Sequence, residues 1–395
     1  MFKASANVVL PTSIIGSLPR PAWYTAVLGS QSFMEAMVNS RYREQYEDAV
    51  SCFLRAQETA GLDICTDGDA HYDEQVGGMS WQSYPPTHMS GFSDRPEPSA
   101  YNVAAAAYPR GHILHDFLEA RVMPRIVGPV GPGNLQYTAM WKVAQRMTAR
   151  PVKFGTILPE LLAASVADEY YKDPVERTHA LAAALNRELH ELADAGCPVV
   201  QMEEPQIHMV PVRGKAFGRL GLDELVGVFN ETVRGLRAKT EVWCHTCWGN
   251  PCQQRIFRDV QSYQPTLEAL NQVDADALTF EVSSSGTGDL QAIGQVITDK
   301  KIVIGTINHH SLQVERPDEV AAIIREALKH IPPERLVISS DCGMGREGMG
   351  RRHASYKMVS MVLGTNIVRK ELGLPEAPCL AADPRYSLTT ARPAA

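Results

Sequence analysis

The sequence predicts an α/β fold, a (β/α)8 TIM-like barrel built as one domain over residues 1–395. Short apolar runs bounded by Gly, Pro or charged residues recur along the chain, as buried parallel strands do. Amphipathic helical stretches lie between these runs. No G-x-G-x-x-G turn follows the first run, as it would in a dinucleotide-binding doubly wound sheet. Eight strand and helix units in a chain of this length therefore favour a closed barrel.

Eight apolar runs are interpreted as the strands of the barrel. In chain order they occupy residues 13–17, 63–68, 152–156, 198–205, 241–247, 277–282, 301–306 and 335–342. A ninth run, "RIVGPV" at 125–130, also has strand character, and a short hairpin between the second and third units would accommodate it. The insertion that contains it, at about 70–150, includes the Pro-, Ser- and Gly-rich stretch "SYPPTHMSGFSDRPEPSAY". We expect an irregular segment over one barrel end, a candidate lid.

Three helices are predicted most clearly, at 44–61, 176–196 and 317–331. The first two stretches end in Gly61 and Gly196, and glycine is common just past a helix C-terminus because it adopts a left-handed backbone conformation readily. The final segment, "AADPRYSLTTARPAA", is polar. We expect it to form a loosely ordered tail.

Composition limits the classes of function. The formal net charge is -7, and the chain has no block of like charge, so nucleic acid and anionic membranes are poor partners and a small polar substrate fits better. No apolar run is long enough for a membrane span, and the first residues lack the apolar region of a signal peptide, which predicts a cytoplasmic protein. The eight cysteines are scattered along a long chain, so we expect thiols and not a disulfide framework.

Polar side chains follow the C-terminal ends of six predicted strands. A single polar residue at a strand end is usually solvated or hydrogen bonded, but in a barrel these ends converge on one mouth, where active sites form. Six strands that end this way predict a functional site. The residues are Asp67, Asp69, Glu203, Glu204, His245, Cys247, Glu281, His310, Asp341 and Cys342.

The segment "TEVWCHTCWGNPC" holds three cysteines and one histidine in thirteen positions. Side chains alternate along a strand, so His245 and Cys247 face one side and Cys244 faces the other. This argues against a redox pair of Cys244 and Cys247, which also requires a turn and a helix N-terminus. His245 and Cys247 are instead two candidate ligands of a tetrahedral zinc site. The candidates from other strands are Cys342 and Glu281.

A zinc ion held by one His, two Cys and one Glu would carry three negative ligand charges, and the carboxylate would be the weakest-held ligand. A substrate thiol could replace the carboxylate or add to the ligands, and coordination would deprotonate it. The chemistry predicted by this set is alkyl transfer to sulfur. A closed structural zinc site is the alternative, although structural sites generally use closely spaced ligand pairs.

The chain resembles, nearly from end to end, the cobalamin-independent methionine synthase family, in particular the C-terminal catalytic barrel of that family. Relatives of this barrel include the epoxyalkane:coenzyme M transferases. The most specific part of the match is H-x-C, here "HTC", followed at this distance by D-C-G, here within "SSDCGMG". The other matching segments are "IIGSLPRP" 14–21, "DICTDGDAHYDEQVG" 63–77, "QMEEP" 201–205, "FEVSSS" 280–285 and "GTINHHS" 305–311.

The resemblance implies a role for each matching residue. It implies zinc ligands at His245, Cys247, Glu281 and Cys342, in agreement with the strand geometry. It implies that the backbone of an I-G-S segment and two acids grip an amino-acid thiol, at Ile15, Gly16, Ser17, Asp69 and Glu203; both acids differ by one methylene from the usual Glu and Asp. A histidine suited to proton donation onto the leaving group maps onto His310, with His309 as the alternative, and strand alternation lets only one of the two face the mouth.

The alkyl donor stays open because full-length synthases use a second, N-terminal barrel to help hold polyglutamyl folate, and 395 residues leave no room for one. Methyl transfer to a thiol leads, with a corrinoid as one candidate donor. Opening of an epoxide by coenzyme M is the alternative, and a non-catalytic zinc or thiol-binding protein is the third interpretation. The sulfonate of coenzyme M would need a cation. The candidates for that cation, which could equally be solvated, are Arg20, Arg346, Arg351 and Arg352.

Overall fold

The structure, a computed structural model, describes residues 4–24, 28, 31–70, 80–94, 107–120, 122–212, 220–345 and 348–388. Seven strands form one parallel sheet in the order β1-β4-β5-β6-β7-β8-β9, and β2 and β3 form a separate antiparallel pair. The strands are β1 (Cys65–Thr66), β2 (Ser90–Phe92), β3 (Ile126–Gly131), β4 (Val152–Ile157), β5 (Val199–Glu203), β6 (Glu241–His245), β7 (Ala277–Phe280), β8 (Lys301–Ile307) and β9 (Leu336–Ser340).

Residues 11–13 close the sheet into an α/β barrel by lying between β9 and β1. Ser13 donates its N–H to the carbonyl of Ile338 at 2.9 Å, and Ile338 donates to the carbonyl of Pro11 at 2.9 Å. On the other side, Ile64 donates to the carbonyl of Thr12 at 3.0 Å. The predicted barrel is therefore confirmed.

The predicted strand at 13–17 is wrong as a regular strand, because only Thr12 forms a bridge, with Ile338. Side chains from β4 and β5, which lie further round the barrel, bind backbone carbonyls that a ladder would use. Lys153 Nζ donates to the Ile14 carbonyl at 2.7 Å, and Gln201 Nε2 donates to the Ile15 carbonyl at 2.9 Å. Polar barrel-facing side chains thus replace strand pairing in this segment.

The helices that surround the sheet agree with the three predicted helical stretches. Residues 44–61 lie in and just after α2, which Gly61 follows with φ 100°, residues 176–196 mostly in α7 and residues 317–331 mostly in α11. The helices are α1 (Phe33–Met37), α2 (Ser40–Ala60), α3 (Ser80–His88), α4 (Ile113–Glu119), α5 (Tyr137–Gln145), α6 (Pro159–Ser165), α7 (Pro174–Asp194), α8 (Leu222–Thr232), α9 (Leu267–Asn271), α10 (Leu290–Val296), α11 (Pro317–Leu328) and α12 (Arg351–Glu371).

The 70–150 insertion contains more regular structure than its composition predicts. Helices α3, α4 and α5 lie in it, and the 125–130 run forms β3, which pairs antiparallel with β2. The predicted short hairpin is wrong, because residues 93–125, which include α4, lie between the two strands. Residues 71–79, 95–106 and 121, and residues 389–395 of the tail, lie outside the described residues. Across the part of the chain that the structure describes, the helices are too short or too polar to traverse a bilayer.

The barrel interior is layered, because side chains of alternate residues point inward. One layer is apolar and consists of Ile64, Val199, Trp243, Ala277, Val303 and Val337. Two positions further along β5 and β6, toward the C-terminal ends of the strands, lie Gln201 and His245, both buried. The outward-facing residues pack against the helices in the main core, which includes Cys244. Because of this alternation, the inward-facing polar side chains of Gln201 and His245 lie on the mouth side of the apolar layer.

Candidate metal centre

His245, Cys247 and Cys342 come together at the C-terminal ends of β6 and β9. One ligand atom of each lies within 4.8 Å of the other two, and all three side chains are buried. His245 is the last residue of β6, Cys247 follows it by two residues, and Cys342 follows β9 by two. Strands β6 and β9 are separated by β7 and β8 in the sheet, but the C-terminal ends of all strands converge on one mouth of the barrel, which is why residues 95 positions apart meet.

The spacing of the two sulfurs fits a tetrahedral zinc ion. Cys247 Sγ and Cys342 Sγ lie 3.7 Å apart, far longer than a disulfide, and both cysteines are free. Two thiolates each ~2.3 Å from a tetrahedral ion would be separated by about 3.8 Å. The contact between Cys342 and Cys247, aided by His245, lowers the pKa of Cys342 well below its ordinary value. A thiolate is the form that binds a metal.

The ring of His245 is oriented by a neighbouring strand. Its Nδ1 lies 2.7 Å from Thr279 Oγ1, and the Thr246 N–H donates to that same oxygen at 3.1 Å. When Nδ1 donates to Thr279, Nε2 keeps a lone pair, and Nε2 is buried without a hydrogen-bond partner. Burial works against protonation, but Glu203 and Cys342 raise the pKa of His245 overall. An unpaired buried acceptor beside two sulfurs is what a metal ligand requires.

Glu281 lies next to this trio but belongs to a second cluster. Its Oε2 accepts the N–H of Trp248 at 2.9 Å, and its Oε1 accepts hydrogen bonds from Ser284 and, at 3.4 Å, Ser285. The carboxylate groups instead with His309 and His310, within 4.8 Å. Burial raises its pKa. The structure therefore brings together three of the four predicted ligands and holds the fourth close by in hydrogen bonds.

Both His309 and His310 approach Glu281, although strand alternation predicts that only one faces the mouth. Strand alternation does not govern the two rings, because β8 ends at Ile307 and a turn follows. His310 N–H donates to Asn308 Oδ1 at 2.8 Å within the turn, and His310 Nε2 lies 3.8 Å from Glu281 Oε1. His309 is fully buried, whereas His310 is partly exposed, with its Nε2 buried.

The predicted substrate-binding segment lies against one of its predicted acids. A Cβ placed on Gly16 would lie 2.8 Å from Asp69 Oδ2, so glycine lets the carboxylate pack on the backbone. Ile15 N–H donates to Ser340 Oγ at 3.2 Å, and Ser17 Oγ accepts the N–H of Gly345 at 3.2 Å. The segment is thereby held between the ends of β9 and β1.

The adjacent acids Glu203 and Glu204 face opposite ways. Glu203 Oε2 lies 3.6 Å from His245 Nε2, and its carboxylate is partly exposed at the mouth. Glu204 is buried and accepts the N–H groups of Gln206 and Ile207, so it fixes the turn after β5. Only Glu203 is therefore placed to meet a ligand.

The arginines considered for a sulfonate are placed elsewhere. Arg20 is buried, and its guanidinium donates to the carbonyls of Gly68, at 2.9 Å, and Asp69, so it holds the loop after β1. Arg351 and Arg352 are exposed in the first turn of α12. The 346 position lies outside the described residues. Arg20 is consequently a structural cation and not an available sulfonate partner.

Sequence reasoning missed several residues that organise the site. Thr279 orients His245, and Asp341 accepts the N–H groups of the three residues after Glu281, at 2.7 to 3.0 Å. Polar character at a strand end identified Asp341 as a mouth residue but not its role. Thr279 has no signal in the sequence beyond its position two residues before Glu281, which strand alternation places on the same face.

A cavity of about 210 Å³ opens beside the second cluster. Its walls come from the segment that precedes α9 and from the loop between β7 and α10. The polar lining includes Tyr263, Glu281, Ser285 and Asp289. A small group in this cavity would therefore contact Glu281.

Comparison with known proteins gives a consistent result. A family model described as the catalytic domain of cobalamin-independent synthase matches residues 101–364. The methionine synthase of Saccharolobus solfataricus is 28% identical over 369 residues, covering 92% of this chain and 96% of that protein. The methionine synthase of Sulfurisphaera tokodaii is 27% identical, covering 92% of this chain and 94% of that protein.

Solved structures show the same fold. A B12-independent methionine synthase from Shewanella sp. W3-18-1, in complex with selenomethionine, superposes with a TM-score of 0.74 at 23% identity, covering 92% of this chain and 99% of that one. A vitamin-B12 independent methionine synthase, described as putative, from Listeria monocytogenes gives a TM-score of 0.63 at 17% identity, covering 91% and 99%.

Proposed function

The chain belongs to the cobalamin-independent methionine synthase family, and on that premise we propose that it transfers a methyl group to the thiol of an amino acid, homocysteine, in a zinc-dependent reaction. The single observation that carries the proposal is the trio of His245, Cys247 and Cys342, with its sulfurs 3.7 Å apart, beside Glu203. Bound zinc would lower the pKa of the substrate thiol so that a thiolate exists at neutral pH.

The residues around the trio supply binding and orientation. Glu203 and Asp69 are carboxylates at the mouth that can pair with the substrate's ammonium group. Glu281, held by Trp248 and Ser284, is the ligand that the substrate sulfur would displace. Burial of the trio excludes water and strengthens the electrostatic interactions there. The site therefore offers a partner for the sulfur of an amino-acid thiol and another for its ammonium group.

His310 is the proposed proton donor in methyl transfer. The substrate sulfur forms a bond to the methyl carbon, the bond between that carbon and the donor breaks, and the leaving group takes the electron pair. His310 then supplies a proton to the leaving group. Burial lowers the pKa of His310, so the protonated ring gives up its proton readily, but a smaller fraction of the protein carries that proton at neutral pH.

The test of the function is zinc-edge X-ray absorption of the purified protein, with homocysteine and coenzyme M added in turn. We expect about one zinc per chain with two sulfur neighbours, and a third sulfur neighbour after homocysteine but not coenzyme M. A third sulfur only with coenzyme M would instead favour thiol opening of an epoxide. Absence of zinc from the protein as purified and after metal loading would contradict the proposal.

Substitution of His310 tests the acid role. His310→Ala should keep zinc and homocysteine binding but slow methyl transfer by about 10²-fold or more, as loss of a general acid does. The assay uses methyltetrahydrofolate or methylcobalamin, whichever supports turnover by the unaltered protein. His309→Ala, at the fully buried neighbour, is the matched comparison and should have the smaller effect on rate. An unchanged rate in His310→Ala would remove this residue from the mechanism.

A further inference from the structure

Two buried polar residues, Lys153 and Gln201, lie in the barrel beneath the mouth. Lys153 is 1% exposed and Gln201 is 0% exposed. Lys153 Nζ donates to Gln201 Oε1 at 2.6 Å and to the Ile14 carbonyl at 2.7 Å, and it lies 4.7 Å from the ring centroid of Trp243. Burial of a charged group costs free energy unless it is well paired. Neither residue has a part in the metal centre or in methyl transfer as described above.

Gln201 connects this lysine to the substrate-binding groups. Its Nε2 donates to Glu203 Oε1 at 2.7 Å and to the Ile15 carbonyl at 2.9 Å. A lysine ammonium can only donate, so Lys153 requires the amide oxygen of Gln201 to face it. The amide NH₂ must then face Glu203 and Ile15. If the amide were reversed, its oxygen would oppose two acceptors.

We propose that Lys153 and Gln201 are positioning residues that aim the Glu203 carboxylate, and with it the 14–15 backbone, at the ammonium group of an amino-acid substrate. This inference rests on the proposed function, and it assigns recognition of the substrate's ammonium group to a Glu203 carboxylate that these two residues hold in place. The electrostatics agree with the geometry. Burial lowers the pKa of Lys153 to about 7, while the negative charges of Glu203 and Asp69 oppose the shift. The ammonium group of Lys153 therefore interacts electrostatically with both carboxylates.

The test compares two thiols that differ in the ammonium group, L-homocysteine and 4-mercaptobutyrate. Binding of each to the zinc-loaded protein is measured by calorimetry. Lys153→Met should weaken homocysteine binding about tenfold or more, the loss expected when a charged hydrogen-bonding partner is misaligned. It should leave 4-mercaptobutyrate binding and zinc content unchanged. Gln201→Met, which keeps the lysine, should reproduce this selective loss if Lys153→Met does not fold.

Lys301→Met is the matched control. Lys301 is 5% exposed, and its Nζ donates to the Ser5 carbonyl at 2.8 Å, at the opposite end of the barrel. This substitution also removes a buried ammonium, but homocysteine binding should stay as in the unaltered protein. In Lys153→Met/Glu203→Gln, the loss should be no larger than in Glu203→Gln alone, because both act through one carboxylate.

Three outcomes would overturn the inference. Equal weakening of both thiols by Lys153→Met would show a general structural role, and tighter homocysteine binding would show that the lysine acts by repelling the ammonium group. Unchanged homocysteine affinity would show that Glu203 needs no such support. By contrast, failure of the unaltered zinc-loaded protein to bind homocysteine would overturn the proposed function itself.

Discussion

Cys342→Ala is expected to lose zinc and methyl transfer together. The substitution removes one of two sulfurs in the trio, and the remaining His245 and Cys247 cannot complete a tetrahedral site without it. Zinc affinity should fall at least about 100-fold, since even the outer partners of metal ligands contribute 10- to 100-fold. Zinc content after dialysis against a weak chelator, measured with activity on the same samples, checks the prediction.

Two variants control for this result. Cys244→Ala removes a buried cysteine from the same site-bearing strand, but its side chain faces the helices, so zinc should be retained. Glu281→Ala should keep much of the zinc while changing thiol binding, because the carboxylate is the proposed exchangeable ligand. Full zinc stoichiometry in Cys342→Ala would overturn the ligand assignment, and so would complete loss of zinc in Cys244→Ala with its fold intact.

Alternation along strands was enough to predict the centre of this site. It placed His245 and Cys247 on one side and Cys244 on the other, although Cys247 lies two residues beyond β6, and the converging strand ends brought in Cys342, two residues beyond β9. These inferences depend on regular backbone geometry, which apolar runs specify well. The same rule does not apply to His309 and His310, because β8 ends at Ile307 and the turn places both rings near Glu281.

Buried charges were the other limit of sequence reasoning. Lys153 stands near the start of a strand and Arg20 follows a proline, positions at which a cation is usually solvated. In the structure both are buried and donate to backbone carbonyls, Lys153 to Ile14 and Arg20 to Gly68. A sequence pattern shows that a residue is charged. It does not show which backbone carbonyls of another segment lack a partner and can accept a hydrogen bond from that residue. Such partners are set by tertiary packing alone.

Gly305→Ala is expected to cause the largest loss of stability at a position that carries no chemistry. A Cβ on Gly305 would lie 2.0 Å from Asp341 Oδ1 and 2.5 Å from Asp341 Cα, so the backbone of the segment after β9 would have to move. Asp341 accepts the N–H groups of Val282, Ser283 and Ser284, the turn directly after Glu281. We expect a loss of about 3 kcal/mol from overpacking and broken hydrogen bonds, together with weaker homocysteine binding.

Gly155→Ala, at a glycine on β4, separates steric displacement from the general effect of replacing a strand glycine. The nearest atoms to a Cβ there are Glu203 Oε1 at 3.8 Å and Gln201 Nε2 at 4.0 Å, which are ordinary contacts. Its free energy of unfolding, measured by urea unfolding, should therefore stay within about 1 kcal/mol of the value for the unaltered protein. Equal free energies of unfolding for Gly305→Ala and Gly155→Ala would show that Asp341 can move aside without a loss of stability. The hydrogen bonds from 282–284 would then not be what holds Glu281 beside the metal trio.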